Sequence, residues 1–202
     1  VSSVDLEVRR SWERIAAWLR SHVGEGRRLL SAADTALIAT VERETGRALP
    51  PDLVAWWRLE GVDGGYWLPP EGGCALEHPL QALETRSILL EVAEEEDPAD
   101  PMWPDRFSPE LLPIAMNGGG DSLVVNLGTG EHHGAVFFWD HEQWGLGVPL
   151  WTSVTAMLAD TADALWTGGP ALSWHAAHGG DESPCVPVIN DRDEFECWAA
   201  AR

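Results

Sequence analysis

The 202-residue sequence predicts an α+β domain. Three observations lead there: apolar residues at helical spacing in the first 60 positions, short strand-like runs divided by glycine turns between positions 111 and 151, and a further helical pattern from position 153.

Residues 11–22 place Trp12, Ile15, Ala16 and Leu19 on one helical face. The run Ser31-Ala32-Ala33-Asp34 opens a second helix, with a serine oxygen available to accept from a free first-turn amide. Leu37, Ile38 and Val41 form its stripe, and Gly46 suits the left-handed residue that ends it. Pro50, Pro51 and Asp52 begin a third helix, because a first turn does not need those amides and a carboxylate complements the helix dipole. That helix buries Leu53, Trp56 and Trp57 and stops at Gly61.

Residues 64–68 read as a short strand and 69–73 as a loop, and 79–95 as a helix with Leu80, Leu83, Leu90 and Val92 partly inside. Prolines at 98, 101, 104 and 109 bar a helix over 97–109, which is expected to be an exposed, irregular loop. Strands follow at 111–115, 122–126, 134–139 and 147–151, separated by glycine turns at 117–121 and 128–130. From Ser153, a helix keeps Val154, Met157, Leu158, Thr161, Ala162 and Leu165 in phase until Gly168-Gly169-Pro170. In the last stretch, 191–201 is expected to form one short helix packing Phe195 and Trp198.

Composition excludes several function classes. Hydrophobic residues make up 45% of the chain, enough for a packed core. Every basic residue is Arg, so neither a Schiff-base lysine nor the lysine of a phosphate-binding P-loop is available. Cys74, Cys185 and Cys197 are odd in number and form no C-x-x-C, which disfavours a disulfide framework or a structural zinc site. Apolar runs such as 135–139 are far shorter than the roughly 18 residues of a membrane span, and residues 1–14 lack the apolar stretch of a secretory signal. A soluble, cytoplasmic protein is expected.

Charge is unevenly spread. The net charge is −20, yet residues 1–60 hold nine acids and nine arginines, so residues 61–202 carry the whole excess. Between residues 107 and 191 there are ten acids and no Arg. Such a surface repels phosphate backbones, so direct nucleic-acid binding is not expected; it serves either general solubility or the attraction of a basic partner.

The ordered motifs resemble a known family. Residues 12–19, then Leu49-Pro50-Pro51-Asp52-Leu53 with Trp56-Trp57-Arg58 and Gly61, resemble the start of SUKH superfamily domains. The later part agrees further: Leu112-Pro113-Ile114-Ala115, Asn117-Gly118-Gly119-Gly120-Asp121, Leu123-Val124-Val125, Gly134, Val136 and Trp139-Asp140-His141-Glu142, then an amphipathic helix. The resemblance covers residues 10–168 and leaves 169–202 as a C-terminal appendage, partly irregular. Members include fungal cell-wall-assembly regulators and bacterial proteins that neutralise polymorphic toxins. The resemblance implies a curved, mainly antiparallel sheet with helices packed around it, and protein binding without catalysis. The implied partner is a toxin domain, often a nuclease. The acidic segment 91–105 and the tail depart from the family pattern, and binding surfaces diverge within the superfamily, so contact residues do not carry over.

Three constellations compete with that reading. Gly120-Asp121-Ser122-Leu123 spells the GDSL of an esterase class, but no histidine has an aspartate three residues before it to complete the triad. Asp140-His141-Glu142 with His132-His133 has imidazole and carboxylate ligands, but the spacing fits no helical pair and reads as a solvated strand end. Asn117 to Gly120 as a phosphate cradle lacks both the lysine and a following helix. Among the twelve tryptophans, Trp12, Trp56, Trp57 and Trp139 lie in core patterns, whereas Trp103 and, more weakly, Trp144 stand out as interface anchors or loop staples.

The expected function is that of an immunity protein that neutralises a cognate, basic, nuclease-type toxin by acidic-surface blockade. A regulatory scaffold of the cell-wall-assembly-regulator type is the alternative, and a GDSL-type esterase the third reading. The partner-binding residues expected are Glu94, Glu95, Glu96, Asp97, Asp100 and Trp103, with Asp121, Asp140 and Glu142 as a second patch. No catalytic residue, metal, cofactor or membrane contact is expected.

Overall fold

The structure, a computed structural model, describes residues 2–23, 29–62, 65–95, 107–142 and 146–202. Helix α1 (Ser3–His22) starts well before residue 11 because Ser2 and Asp5 close a capping box. The Ser2 hydroxyl accepts from the Asp5 amide at 3.1 Å, and the Asp5 carboxylate accepts from the Ser2 amide at 2.8 Å. Strand β1 (Leu29–Leu30) precedes α2 (Thr35–Thr45). Asp34, not Ser31, caps α2: its carboxylate accepts from the Leu37 amide at 2.8 Å, standing next to the first helical residue where Ser31 is too early to reach. Gly46, at φ 68°, closes the helix as expected.

Helix α3 (Pro51–Trp57) buries Leu53, Trp56 and Trp57 and ends short of Gly61, which belongs to β2 (Gly61–Val62), the antiparallel partner of β1. Next come β3 (Tyr66–Leu68) and β4 (Cys74–Leu76), the latter too short for its alternation to stand out in sequence. Helix α4 (Pro79–Glu95) has the expected bounds and half of the expected face, Leu83 and Leu90 being partly buried against the apolar clusters. Leu80 and Val92 are exposed, and the buried positions are Pro79, Ala82 and Ala93, because the apolar residues are scattered around the helix.

Strands β5 (Leu111–Met116), β6 (Ser122–Asn126) and β7 (Val136–Trp139) complete a curled antiparallel sheet of order β3-β4-β5-β6-β7. The segment 147–151 does not form the expected strand. Proline 149 interrupts it, and only Trp151 bridges to Val136. Helix α5 (Val154–Thr167) follows, with Ser153 accepting from the Ala156 amide at 3.0 Å and Gly168 in the left-handed region at its end.

The C-terminal stretch corrects the expectation of a terminal helix. A short helix, α6 (Ser173–Ala177), precedes a hairpin of β8 (Cys185–Ile189) and β9 (Phe195–Ala200). β-branched Val186, Val188 and Ile189 favour extended backbone, and the Asn190 side chain accepts from the Arg192 and Glu194 amides to hold the turn. Trp198 is buried and donates its indole N–H to the Trp67 carbonyl at 2.9 Å, and the Gly72 amide donates back to the Trp198 carbonyl at 2.9 Å.

Each face of the sheet has its own apolar cluster. Leu112, Ile114, Leu123, Val125 and Val136 pack with α1, α3 and α5, joined by Ala171, Cys185 and Trp198 from the C-terminal stretch. On the other face, Leu111, Val124, Phe137 and Trp139 pack against Ala93 of α4 and Phe107. Phe107 lies in the segment expected to be exposed, but it is only 2% exposed, its ring edge-on to Trp139 at 5.4 Å. Residues 97–106 of the expected loop lie outside the described residues, and Pro109 is exposed as expected.

Candidate functional site

The alternation of the strands sets one row of side chains across the sheet. Tyr66 pairs with Ala75, Ala75 with Met116, Met116 with Ser122, and Ser122 with Trp139. Cross-strand partners share a face, so this row lies on the face that α4 covers at Trp139. At the other end of the row the cover stops: Tyr66 is 49% exposed and Met116 37%.

The turn 117–121 stands beside these two residues. Its form follows from Asn117, whose side-chain oxygen accepts from the Gly119 and Asp121 amides at 2.8 and 2.9 Å and whose NH2 donates to Asp121 at 2.7 Å. Gly120 has φ 105°, a conformation closed to most side chains. On one flank, a Cβ at Gly118 would meet the Tyr66 hydroxyl at 3.7 Å; on the other, a Cβ at Gly120 would meet the His141 ring at 3.7 Å. The turn thus lies between an exposed aromatic ring and the polar end of β7.

Three of the expected site residues meet there. One oxygen of Asp121 accepts from the His141 amide at 3.1 Å and from its Nδ1 at 2.7 Å, so Nδ1 carries the proton. Asp140 joins them, the ligand atoms of Asp121, Asp140 and His141 all lying within 4.8 Å of one another. The Glu142 amide donates to Asp140 at 2.7 Å, and the Glu142 side chain is exposed. Burial pushes the Asp121 carboxyl up, but hydrogen bonds from His141 and Asn117 outweigh it and hold the pKa below the usual value. His141 is shifted up, first by its hydrogen bond to Asp121 and then by the surrounding carboxylates.

A fourth acid, Glu182, was not legible in sequence. It is held by His175, which is 1% exposed. The His175 Nδ1–H donates to the Pro149 carbonyl at 3.1 Å, leaving Nε2 to accept from the Glu182 amide at 3.1 Å. Burial raises the Glu182 carboxyl, and the charges of Asp181, Asp140 and Asp121 raise it further, so this residue senses the same cluster.

The other expected residues fall elsewhere. Glu94 and Glu95 are exposed on the last turn of α4. Glu96, Asp97, Asp100, Trp103 and Trp144 lie outside the described residues. His132 and His133 turn away from the cluster, the first edge-on to Phe137 and the second bonded to the Gly128 carbonyl at 3.0 Å. Ser122 of the GDSL tetrapeptide is fully buried on β6, and its hydroxyl has no hydrogen-bond partner among the described residues. Its hydroxyl bonds to no histidine among the described residues and is closed to solvent, so Ser122 lacks the access of a nucleophile.

Residues 32–160, well over half the chain, match the model of the SMI1/KNR4 family (SUKH-1). The chain belongs to that family. The match spans α2 to the first half of α5, so the Asn117 turn, the carboxylates that follow β7 and the Tyr66–Met116 row are all part of the SUKH-1 domain. Glu182 lies beyond the matched span. Domains of this family are generally non-catalytic immunity or regulatory modules. A comparison with curated proteins returned no match. No helix among the described residues of this SUKH-1 protein is long and apolar enough to cross a membrane.

Proposed function

We propose that this SUKH-1 protein is an immunity protein that binds a cognate toxin with a positively charged functional surface, such as a nuclease, and blocks it without catalysis. The observation that carries the reading is the gathering of Asp121, Asp140 and Glu142 beside one glycine turn, close to exposed Tyr66 and Met116. Carboxylates steer a cationic partner, and at low salt steering lifts association from ~10⁵–10⁶ to ~10⁸–10⁹ M⁻¹s⁻¹. Tyr66 and Met116 supply the desolvated anchors that slow dissociation. Glu94 and Glu95, exposed on α4, add to the field.

The test is co-expression with the product of the adjacent reading frame, read as cell survival and as capture of that product on the purified protein. Tyr66→Ala with Met116→Ala is expected to weaken capture at least tenfold, and Asp140→Asn with Glu142→Gln to slow association. Capture without neutralisation would move the protein to the regulatory-scaffold reading; no capture would overturn both.

A further inference from the structure

We propose that this chain carries a second binding site, an arginine-lined cleft for a small phosphorylated molecule, separate from the acidic face. A cleft of about 460 Å³ lies between α1 and the end of α3, with Trp12, Ala16 and Leu59 as apolar lining. Arg9 and Arg20 reach it from α1 and Arg58 from the C-cap of α3. Positions 9, 12, 13, 16 and 20 share one side of α1, which is why one helix lines most of the cleft.

The distinctive feature is that one cleft gathers three arginines. The chain has 33 acids and 13 basic residues, so an arginine has ample choice of carboxylates. Arg14, Arg43 and Arg47 each pair with one. Arg9, Arg20 and Arg58, like Arg10, Arg86, Arg192 and Arg202, form no ion pair among the described residues, and Glu13 and Glu60 line the cleft without pairing with the three. Asp5 senses Arg58, but its carboxylate is spent on the Ser2 amide. Three guanidinium groups lining one concavity, none held by a carboxylate among the described residues, match the oxygens of a phosphate better than those of a monoanion.

Size and charge narrow the ligand. The volume lies within the roughly 300–1,000 Å³ usual for small-molecule sites. A net charge of −20 repels an extended polyanion over its whole length, whereas a compact ligand keeps its phosphate among the arginines. The apolar lining accommodates a carbon framework, and Glu13 and Glu60 offer acceptors to its hydroxyl or amino groups.

Adenosine monophosphate serves as the probe and adenosine as its uncharged control, with thermal unfolding and amide and indole NMR shifts as readouts at physiological salt. The expected result is a rise in melting temperature and a saturable shift of the Trp12 indole signal with the monophosphate only. Arg20→Gln with Arg58→Gln is expected to weaken that binding at least tenfold, and Arg9→Gln alone severalfold, while capture of the toxin stays unchanged. A monophosphate without effect, equal binding by the double variant, or equal effect of adenosine would overturn the proposal.

Discussion

Asp52 and Thr155, 103 positions apart, are joined by two hydrogen bonds: the Thr155 amide and hydroxyl both donate to one Asp52 oxygen, at 2.9 and 3.2 Å. The other oxygen accepts from the Leu53 amide at 3.0 Å. One buried carboxylate therefore serves the first turns of both α3 and α5, while Ser153 satisfies the next amide of α5. Asp52→Ala leaves these donors without a partner and is expected to cost about 2 kcal/mol of stability, in the range of a lost helix cap. Asp52→Asn, which keeps one acceptor, should cost less. Urea unfolding of the two variants checks the order; equal stability of Asp52→Ala and the parent would contradict the double cap.

Trp198 fastens the C-terminal hairpin to the core. Trp198→Phe keeps most of the packing but removes the indole donor from the buried Trp67 carbonyl, an expected loss of about 1–3 kcal/mol. Trp198→Ala adds a cavity and is expected to cost roughly 3–5 kcal/mol. The measurement is equilibrium unfolding, and a hairpin that unfolds in a separate, earlier transition would contradict its place in the main core.

The clamp between the glycine turn and β7 depends on pH in two directions. His141 has its pKa raised above 6.5 by Asp121, so its contribution to stability is complete below the unfolded value and is lost as pH rises through the folded one. Asp121 is lowered from 3.8, so its contribution is present above that value and is lost as pH falls through the lower folded one. The ion pair is therefore strongest between about pH 4 and 6.5. An NMR titration of His141 is expected to show a midpoint above 6.5 that falls in Asp121→Asn; a midpoint at or below 6.5 in the parent would contradict the pairing.

The difference between what sequence did and did not disclose has physical causes. Helices α2, α3 and α5 were readable because their ends carry local signals, such as Pro51 at a first turn and Gly46 and Gly168 at left-handed ends. Strand β6 was bounded by the turns on either side. The terminal hairpin was misread because Phe195 and Trp198 stand three residues apart, a spacing that both a helix and a half-buried strand with one irregularity can satisfy. The face of α4 was half legible: Leu83 and Leu90 pack as their spacing suggests, but the most buried positions include Ala82 and Ala93, which leave no strong periodic signal, while Leu80 and Val92 face solvent.

The candidate site was half legible for a related reason. Asp121, Asp140 and Glu142 flank recognisable turns, and β6–β7 pairing brings them together. Glu182 arrives through the His175 bridge from a segment remote in sequence, and the exposure of Tyr66 and Met116 depends on where α4 stops covering the sheet. No local pattern encodes either.

The most direct measurement of the central claim is the association rate of this SUKH-1 protein with the cationic toxin domain proposed as its partner, followed from low to physiological salt for the parent and for Asp140→Asn with Glu142→Gln. Steering by carboxylates predicts a steep fall for the parent and a slower, flatter rate for the variant, because charges further apart than the Debye length of about 8 Å are screened at physiological salt. A parent rate that does not change with salt, or a variant that matches it throughout, would contradict the account.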